Sequence, residues 1–363
     1  MKPSLAYKPH AEAVLERLQG FYERRGEDRI FASMETPSRT LARFRQTHRE
    51  GFCAYPDPRQ RIVFWDSLLR ERSALEDDSI PSAYLSELDQ GLYGGLLGGE
   101  VRFLCHPENG WISSMVPPLL KDWSEFDRLR LDAGHPWFQR YLEQLQVFVE
   151  GSAGKFGISH FILIDGLNFL FELFGATRTY LELLDHPEQV RWAIDFAFDL
   201  NVWVQEAFFD RVPGLAGGTF SNMVQWIPGR IVSESVDPFH MTSVETFEEW
   251  GREPVERLWS HFDGGVLHLH GNGRHLLPAV RSLRGLKALY LGDDRGFPPA
   301  FEVLSELKAR VGDLPLLVGV DWGPFQSALE EHRLVGGVFY QVRGVPDGAT
   351  ANRFMERVRA YRE

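Results

Sequence analysis

Residues 264–273 read Gly-Gly-Val-Leu-His-Leu-His-Gly-Asn-Gly, so a single leucine separates two imidazoles, His268 and His270. On an extended strand, residues two apart project to the same side. His268 and His270 therefore face one way, with Leu267 and Leu269 facing the other. Two imidazoles at that spacing can chelate one metal ion when a carboxylate from a neighbouring strand completes the set. The pair can instead hydrogen-bond a substrate carboxylate or carbonyl. A third arrangement bonds one ring into the sheet wall and leaves the other to orient a loop. The glycines that follow let backbone approach a bound molecule closely.

Other apolar runs also stop at polar groups: Glu35, Asp165, Asp237, Asp293 with Asp294, and Asp321. Convergent ligands or acid/base groups require such a ring of strand ends. Asp237, Asp321, Asp293 and Glu35 are the acid/base candidates, and Asp237 doubles as the carboxylate ligand beside His268 and His270. Asp165, Asn272, Trp226 and His240 are candidate substrate contacts. The competing role for each aspartate is to cap the helix that follows, as in Asp165-Gly166 or Asp321-Trp-Gly323.

The elements that must position these groups follow from hydrophobic periodicity. From residue 157 onward, short apolar runs alternate with helical-period segments, the pattern of βα units on a parallel sheet. Strands are predicted at 158–164, 215–220, 264–270, 286–291, 314–320 and 337–342. Helices are predicted at 168–184, 187–211, 243–262, 274–283, 300–311, 325–331 and 349–362. Adding 30–35 and 79–85 gives eight strands, the number that closes a (β/α)8 TIM barrel. A doubly wound open sheet is the runner-up, without the glycine-rich phosphate fingerprint that would support it.

The first hundred residues are less regular: a helical extension over 1–28, helices at 36–50 and 59–75, and two short strands within 101–115 joined at Pro107 to Gly110. The run Gly94-Gly-Leu-Leu-Gly-Gly99 lacks the context of a dinucleotide loop and reads as a flexible turn. The aromatic-rich stretch 192–209 has the spacing of a core helix. Arg39, Arg43 and Arg45 read as a solvated helix face.

Composition bounds the function. The chain has 363 residues, 44% hydrophobic and 25% charged, an ordinary globular balance compatible with one large domain over 1–363. A net charge of -12 repels phosphate backbones and anionic lipid, so neither nucleic acid nor a membrane is the expected partner. Two cysteines, Cys53 and Cys105, exclude a disulfide framework and a four-cysteine zinc knuckle, and read as ordinary thiols. Residues 1–25 are charged and helical in pattern, without the apolar core of a signal peptide, so a cytoplasmic location is expected.

Three stretches resemble the uroporphyrinogen decarboxylase superfamily, which includes cobalamin-dependent methyltransferases. Phe174-Gly-Ala-Thr177 through Leu184-Asp-His-Pro-Glu188 is similar to its helix end followed by an Asp-x-Pro-Glu helix start. Asp237-Pro-Phe-His-Met-Thr-Ser243, with Phe247-Glu-Glu-Trp250 and Pro254, is similar to its Asp…Met-x-Ser-x-x-x-Phe element. His268-Leu-His-Gly-Asn272 resembles its His-x-Cys-Gly-Asn strand end. Order and spacing agree over roughly 79–362.

The resemblance implies a (β/α)8 barrel with a cleft at the carboxyl strand ends. It also implies methyl transfer to or from a corrinoid protein or small substrate, with zinc as the metal and cobalamin carried by the partner. The departures matter too. Where the decarboxylases carry an arginine-rich run that binds porphyrin carboxylates, this chain has Met34-Glu-Thr-Pro37, and Glu35 would repel a polycarboxylate. The zinc methyltransferases use His-x-Cys and a later cysteine. Here His270 replaces the first cysteine and Tyr340-Gln-Val-Arg-Gly-Val345 has no sulfur, so an oxygen ligand is needed from Asp237, Glu234 or Asp321. A cofactor-independent decarboxylase of a small or tetrapyrrole carboxylate is the alternative enzyme, and a non-catalytic binding barrel the third reading. A homodimer is left open.

Overall fold

Thirteen strands are found among the residues that the computed structural model describes, 5–363; the first four residues of the expected extension lie outside them. In chain order they are β1 (Ile30–Met34), β2 (Gly51–Cys53), β3 (Ser82–Tyr84), β4 (Arg102–His106), β5 (Trp111–Met115), β6 (Gly157–His160) and β7 (Gly218–Ser221). They continue as β8 (Gln225–Pro228), β9 (Val232–Ser235), β10 (Gly265–Leu269), β11 (Leu286–Leu291), β12 (Leu316–Asp321) and β13 (Val338–Arg343). The architecture is mixed α/β, and its largest sheet is six-stranded and wholly parallel, in the order β1-β13-β12-β11-β10-β9. A four-stranded sheet runs β3-β6-β7-β8 and a three-stranded antiparallel one β2-β4-β5.

The two larger sheets touch at both ends. Ile162, just past β6, forms a parallel bridge with Ser233, and the Leu163 N–H donates to the Ser233 carbonyl at 3.0 Å. At the other end the Asp78 N–H donates to the Ala32 carbonyl at 2.8 Å, and the Asp78 carboxylate accepts from the Ala32 N–H at 3.1 Å.

A parallel sheet covered on both faces needs apolar residues on both. One face presents Leu267, Leu269, Leu289, Leu291, Leu316 and Val318 to the helices, in the main core. The other face changes character along its length. Its first residues, Phe31, Ile231, Val266, Ala288, Leu317 and Phe339, form a second core with the helix Ala11–Tyr22. Two residues further along, the same side carries Ser33, Ser233, His268, Tyr290, Gly319 and Gln341; beyond them come Glu35, Asp237, His270, Asp321 and Arg343. Within the strands these positions are in phase with period 2, while Asp237 and His270 lie just past the ends of β9 and β10. The amino ends of the strands therefore hold the second core together, each buried side chain contributing roughly 1.5–3 kcal/mol, and the carboxyl ends are free for chemistry.

The N-terminal helix is part of that second core. Phe21 packs its ring 4.7 Å from that of Phe31, and the Tyr22 hydroxyl donates to the Val224 carbonyl at 3.0 Å. Arg17 bridges to Asp78 at 2.8 Å. The expected "extension" is thus a stopper for one end of the sheet.

Several expectations are corrected. Of the run expected to be a flexible turn, residues 94–96 close the helix Gly91–Leu96, where Gly91, Gly94 and Gly95 admit Ser114, Val116 and Val101 against its backbone, and 97–98 form a turn. The strand expected at 215–220 is Gly218–Ser221, the first arm of a hairpin with β8; the neighbour of β10 on the side away from β11 is instead β9, hidden in an Ile-Val-Ser-Glu-Ser stretch too polar to read as a buried strand. The helix Pro136–Ser152 is not among the expected elements, although Phe138, Tyr141, Leu145 and Phe148 lie along one face. The helix expected at 168–184 breaks at Gly175 (φ 79°) into Gly166–Phe174 and Ala176–Asp185. Cys53 is exposed and Cys105 buried, and neither is in a disulfide. Among the described residues no helix is long and apolar enough to cross a membrane.

Candidate functional site

β10 delivers His268 to the polar side of the sheet, between Ser235 of β9 and Tyr290 of β11 in register. His270 follows just past the strand end, its ring centroid 4.2 Å from that of His268. Asp237 arrives from the turn after β9, its carboxylate 3.8 Å from His270 Nε2. The ligand atoms of Asp237, His268 and His270 all lie within 4.8 Å of one another. Tetrahedral coordination at about 2.0–2.1 Å places ligand atoms about 3.3 Å apart, so small rotamer adjustments would close the set on an ion.

The surroundings orient these three groups. His270 Nδ1 is 3.0 Å from the Asp294 carboxylate, whose other oxygen accepts the Asn272 N–H at 3.0 Å. That leaves His270 Nε2 turned toward Asp237. The segment carrying Asp237 is braced by Asn168, which donates to the Ser235 carbonyl at 2.7 Å, and by the Tyr180 hydroxyl, which donates to the Pro238 carbonyl at 2.6 Å. His240, buried behind Asp237, has its Nδ1 3.6 Å from that carboxylate and its ring 5.6 Å from that of His270. Two glycines make room: a Cβ at Gly292 would stand 2.6 Å from His268 Nε2, and one at Gly273 would collide with the His240 ring.

The electrostatics suit a ligand site. Burial lowers His268 to a pKa of about 4, helped by neighbouring His270, and burial likewise lowers His240 to about 4. Both rings are therefore neutral at physiological pH, with a lone pair available. Burial alone would raise the Asp294 carboxyl, but the Asn272 N–H and His270 outweigh it and hold it below the usual range. The His268 Nε2, His240 Nε2, Ser235 Oγ and Asn272 Oδ1 atoms are buried without a hydrogen-bond partner. Unsatisfied buried polar atoms are costly, and these four belong to residues of this one site.

The structure thus brings together Asp237, His240, His268, His270 and Asn272, and adds Asp294 where its neighbour Asp293 was the expected acid. Asp293 instead anchors its own loop, accepting the Ala300 N–H at 2.6 Å with Arg274 3.6 Å away. Asp321 pairs with Arg343 at 3.3 Å and, with Asp293, lines a separate cavity of about 470 Å³. Glu35 lines a different cavity, of about 360 Å³, that reaches Tyr290 beside His268. Trp226 is core: its indole N–H donates to the Leu215 carbonyl at 2.9 Å. Neither Asp165 nor Asp321 makes the expected capping bond.

Glu234 lies on the opposite side of β9 from Ser233 and Ser235, in register with core residue Leu267, so it does not reach the cluster. It is fully buried beside Asp165. Burial, then the Asp165 charge, pushes its carboxyl well above the usual range, and burial raises Asp165 as well. Like charges this close favour one shared proton over two carboxylates.

No protein-family model matches the chain, and no curated protein matches it significantly. Its fold is shared with a methyltransferase. That solved structure, a methyltransferase from Methanosarcina mazei, superposes with a TM-score of 0.61 over 95% of this chain and 98% of its own, at 12% identity. At that identity the likeness shows the fold alone.

Proposed function

We propose that this chain is a metal-assisted, methyltransferase-like enzyme built on a single (β/α)8 barrel. In this reading β1, β3, β6 and β9 to β13 are the eight barrel strands, closed at the Asp78–Ala32 and Ile162–Ser233 contacts. The observation that carries the proposal is the convergence of Asp237, His268 and His270, supported by the full-length fold likeness to a methyltransferase.

A divalent ion such as zinc held there would act as a Lewis acid on the substrate heteroatom that gives up or receives the methyl group. The chain's residues do the rest. Burial keeps His268 neutral, so its unpartnered Nε2 can bind. Asp294 fixes the proton on His270 Nδ1, leaving Nε2 as the donor atom. Asp237 supplies the compensating charge, and the buried His240 ring lies behind it, its Nδ1 3.6 Å from that carboxylate. The transferred methyl leaves its bonding pair on the heteroatom, and the acceptor in this reading is a corrinoid presented by a partner protein. The adjoining cavity, about 360 Å³, is at the small end for ligand pockets, which favours a small substrate over a tetrapyrrole.

The test combines elemental analysis with a methyl-transfer assay to free reduced cobalamin. One metal per chain is expected, absent from the His268→Ala and His270→Ala proteins, with transfer lost in parallel. A chain that takes up no zinc, or variants that keep full activity, would overturn the metal reading; metal-independent release of carbon dioxide from a small acid would favour the decarboxylase.

A further inference from the structure

The 360 Å³ cavity beside the cluster is lined by groups whose charges and hydrogen bonds are left incomplete. Glu35, just past the end of β1, is exposed and has no ion pair among the described residues. Among the described residues the Arg72 guanidinium reaches only Asp77, at 3.4 Å, and that carboxylate is already held by Lys8 at 2.9 Å, the Ser79 hydroxyl at 2.6 Å and the Met34 N–H at 2.9 Å. Most of the five guanidinium donors therefore remain free. Trp65 is 6% exposed, yet its indole N–H has no partner. Trp65 and Arg72 are seven residues apart on and just past the helix Pro58–Glu71, so they share one face. Across the cavity the Asn222 Oδ1 is buried and unpartnered. Two aromatic rings also line it: Trp111, edge-on to Tyr84 at 5.1 Å, and Tyr290, 5.1 Å from His268. A second guanidinium in the lining, Arg343, is already paired with Asp321 at 3.3 Å.

These features divide by sign. The Trp65 N–H and Arg72 call for an anionic acceptor, and a bidentate guanidinium partner is typically a carboxylate. Glu35, Asn222 Oδ1 and the ring faces call for a cation, and aromatic faces favour an ammonium, above all an alkylated one. We infer that this cavity binds a small zwitterion, with a carboxylate and an ammonium group in one molecule of the amino-acid or betaine type. As the identity of the substrate this rests on the methyltransferase reading; as a binding site it stands on the cavity alone.

The experiment is calorimetric titration of the full chain with glycine betaine, glycine, acetate and tetramethylammonium at matched ionic strength, with and without zinc. Either zwitterion should bind at least tenfold more tightly than acetate and tetramethylammonium. Glycine betaine binding above glycine would assign the N-methylated class, and the reverse would assign free amino acids. Glu35→Gln should remove the preference over acetate, and Arg72→Gln the preference over tetramethylammonium. Those opposite effects cannot come from misfolding. Acetate or tetramethylammonium binding as well as the zwitterions, no measurable zwitterion binding, or an unchanged preference in Glu35→Gln, would each overturn the inference. Zinc uptake measured on the same samples keeps the readings apart. Zinc without zwitterion binding removes only this inference, and zwitterion binding without zinc removes only the metal centre.

Discussion

His270 Nδ1 and the Asp294 carboxylate are 3.0 Å apart, and this contact decides which nitrogen of the ring faces Asp237. An imidazole has one proton in its neutral form, and a carboxylate beside one nitrogen keeps the proton there. Asp294→Asn preserves the shape but not the charge. It should weaken zinc binding about 10–100-fold, the usual cost of losing an outer partner of a metal histidine. Competition titration against a chelator reads this directly, and an affinity unchanged in Asp294→Asn would mean that His270 is not a ligand.

Gly292 offers a test that leaves every ligand in place. Its missing Cβ is the space beside His268 Nε2, where an added methyl would stand at 2.6 Å. Gly292→Ala should displace the His268 ring or block the ion, with zinc content falling to background. The accompanying strain should cost about 1–3 kcal/mol. If the protein binds zinc normally, its Nε2 does not point into the metal site.

The site was legible where local periodicity determined it and hidden where the tertiary fold did. The pairing of His268 with His270 on one side follows from strand alternation, which the burial of Leu267 and Leu269 matches. That Asp237 meets them depends on β9 lying beside β10, and β9 was unreadable because Ser233, Glu234 and Ser235 are buried polar residues at a strand end. The choice of Asp294 over Asp293 turns on a single residue past the end of β11, finer than any hydrophobic pattern resolves. His240 was visible only as a residue type. Its place behind Asp237 comes from the turn after β9.

The N-terminal helix gives a stability prediction that separates the two ends of the strands. Phe21 is 3% exposed and packs on Phe31 at 4.7 Å and Phe339 at 6.4 Å. Phe21→Ala should cost about 3–5 kcal/mol from lost burial and the residual cavity. The shift should be read as a lower urea midpoint at unchanged slope. Zinc uptake by the folded fraction should be unaffected, because the damage lies at the amino ends of the strands. A midpoint within error of the parent would mean that the helix does not seal this end.

Glu172 predicts a pH dependence of stability remote from the cluster. It sits on the helix Gly166–Phe174, its buried Oε2 without a partner, in a space kept open by Gly94. Burial raises its pKa from 4.5 to about 7. A carboxyl raised in the folded state favours folding when protonated. Its contribution is therefore fully present below pH 4.5 and is lost as pH rises through 7. At pH 8 the parent carries a buried, unpaired charge whose cost is about 3 kcal/mol at most. Glu172→Gln removes that charge, so it should raise stability at pH 8 by an amount approaching that limit and change it little at pH 5. Urea denaturation at the two pH values measures the difference. Equal effects of the substitution at both would show that Glu172 ionises normally and that its side chain meets water.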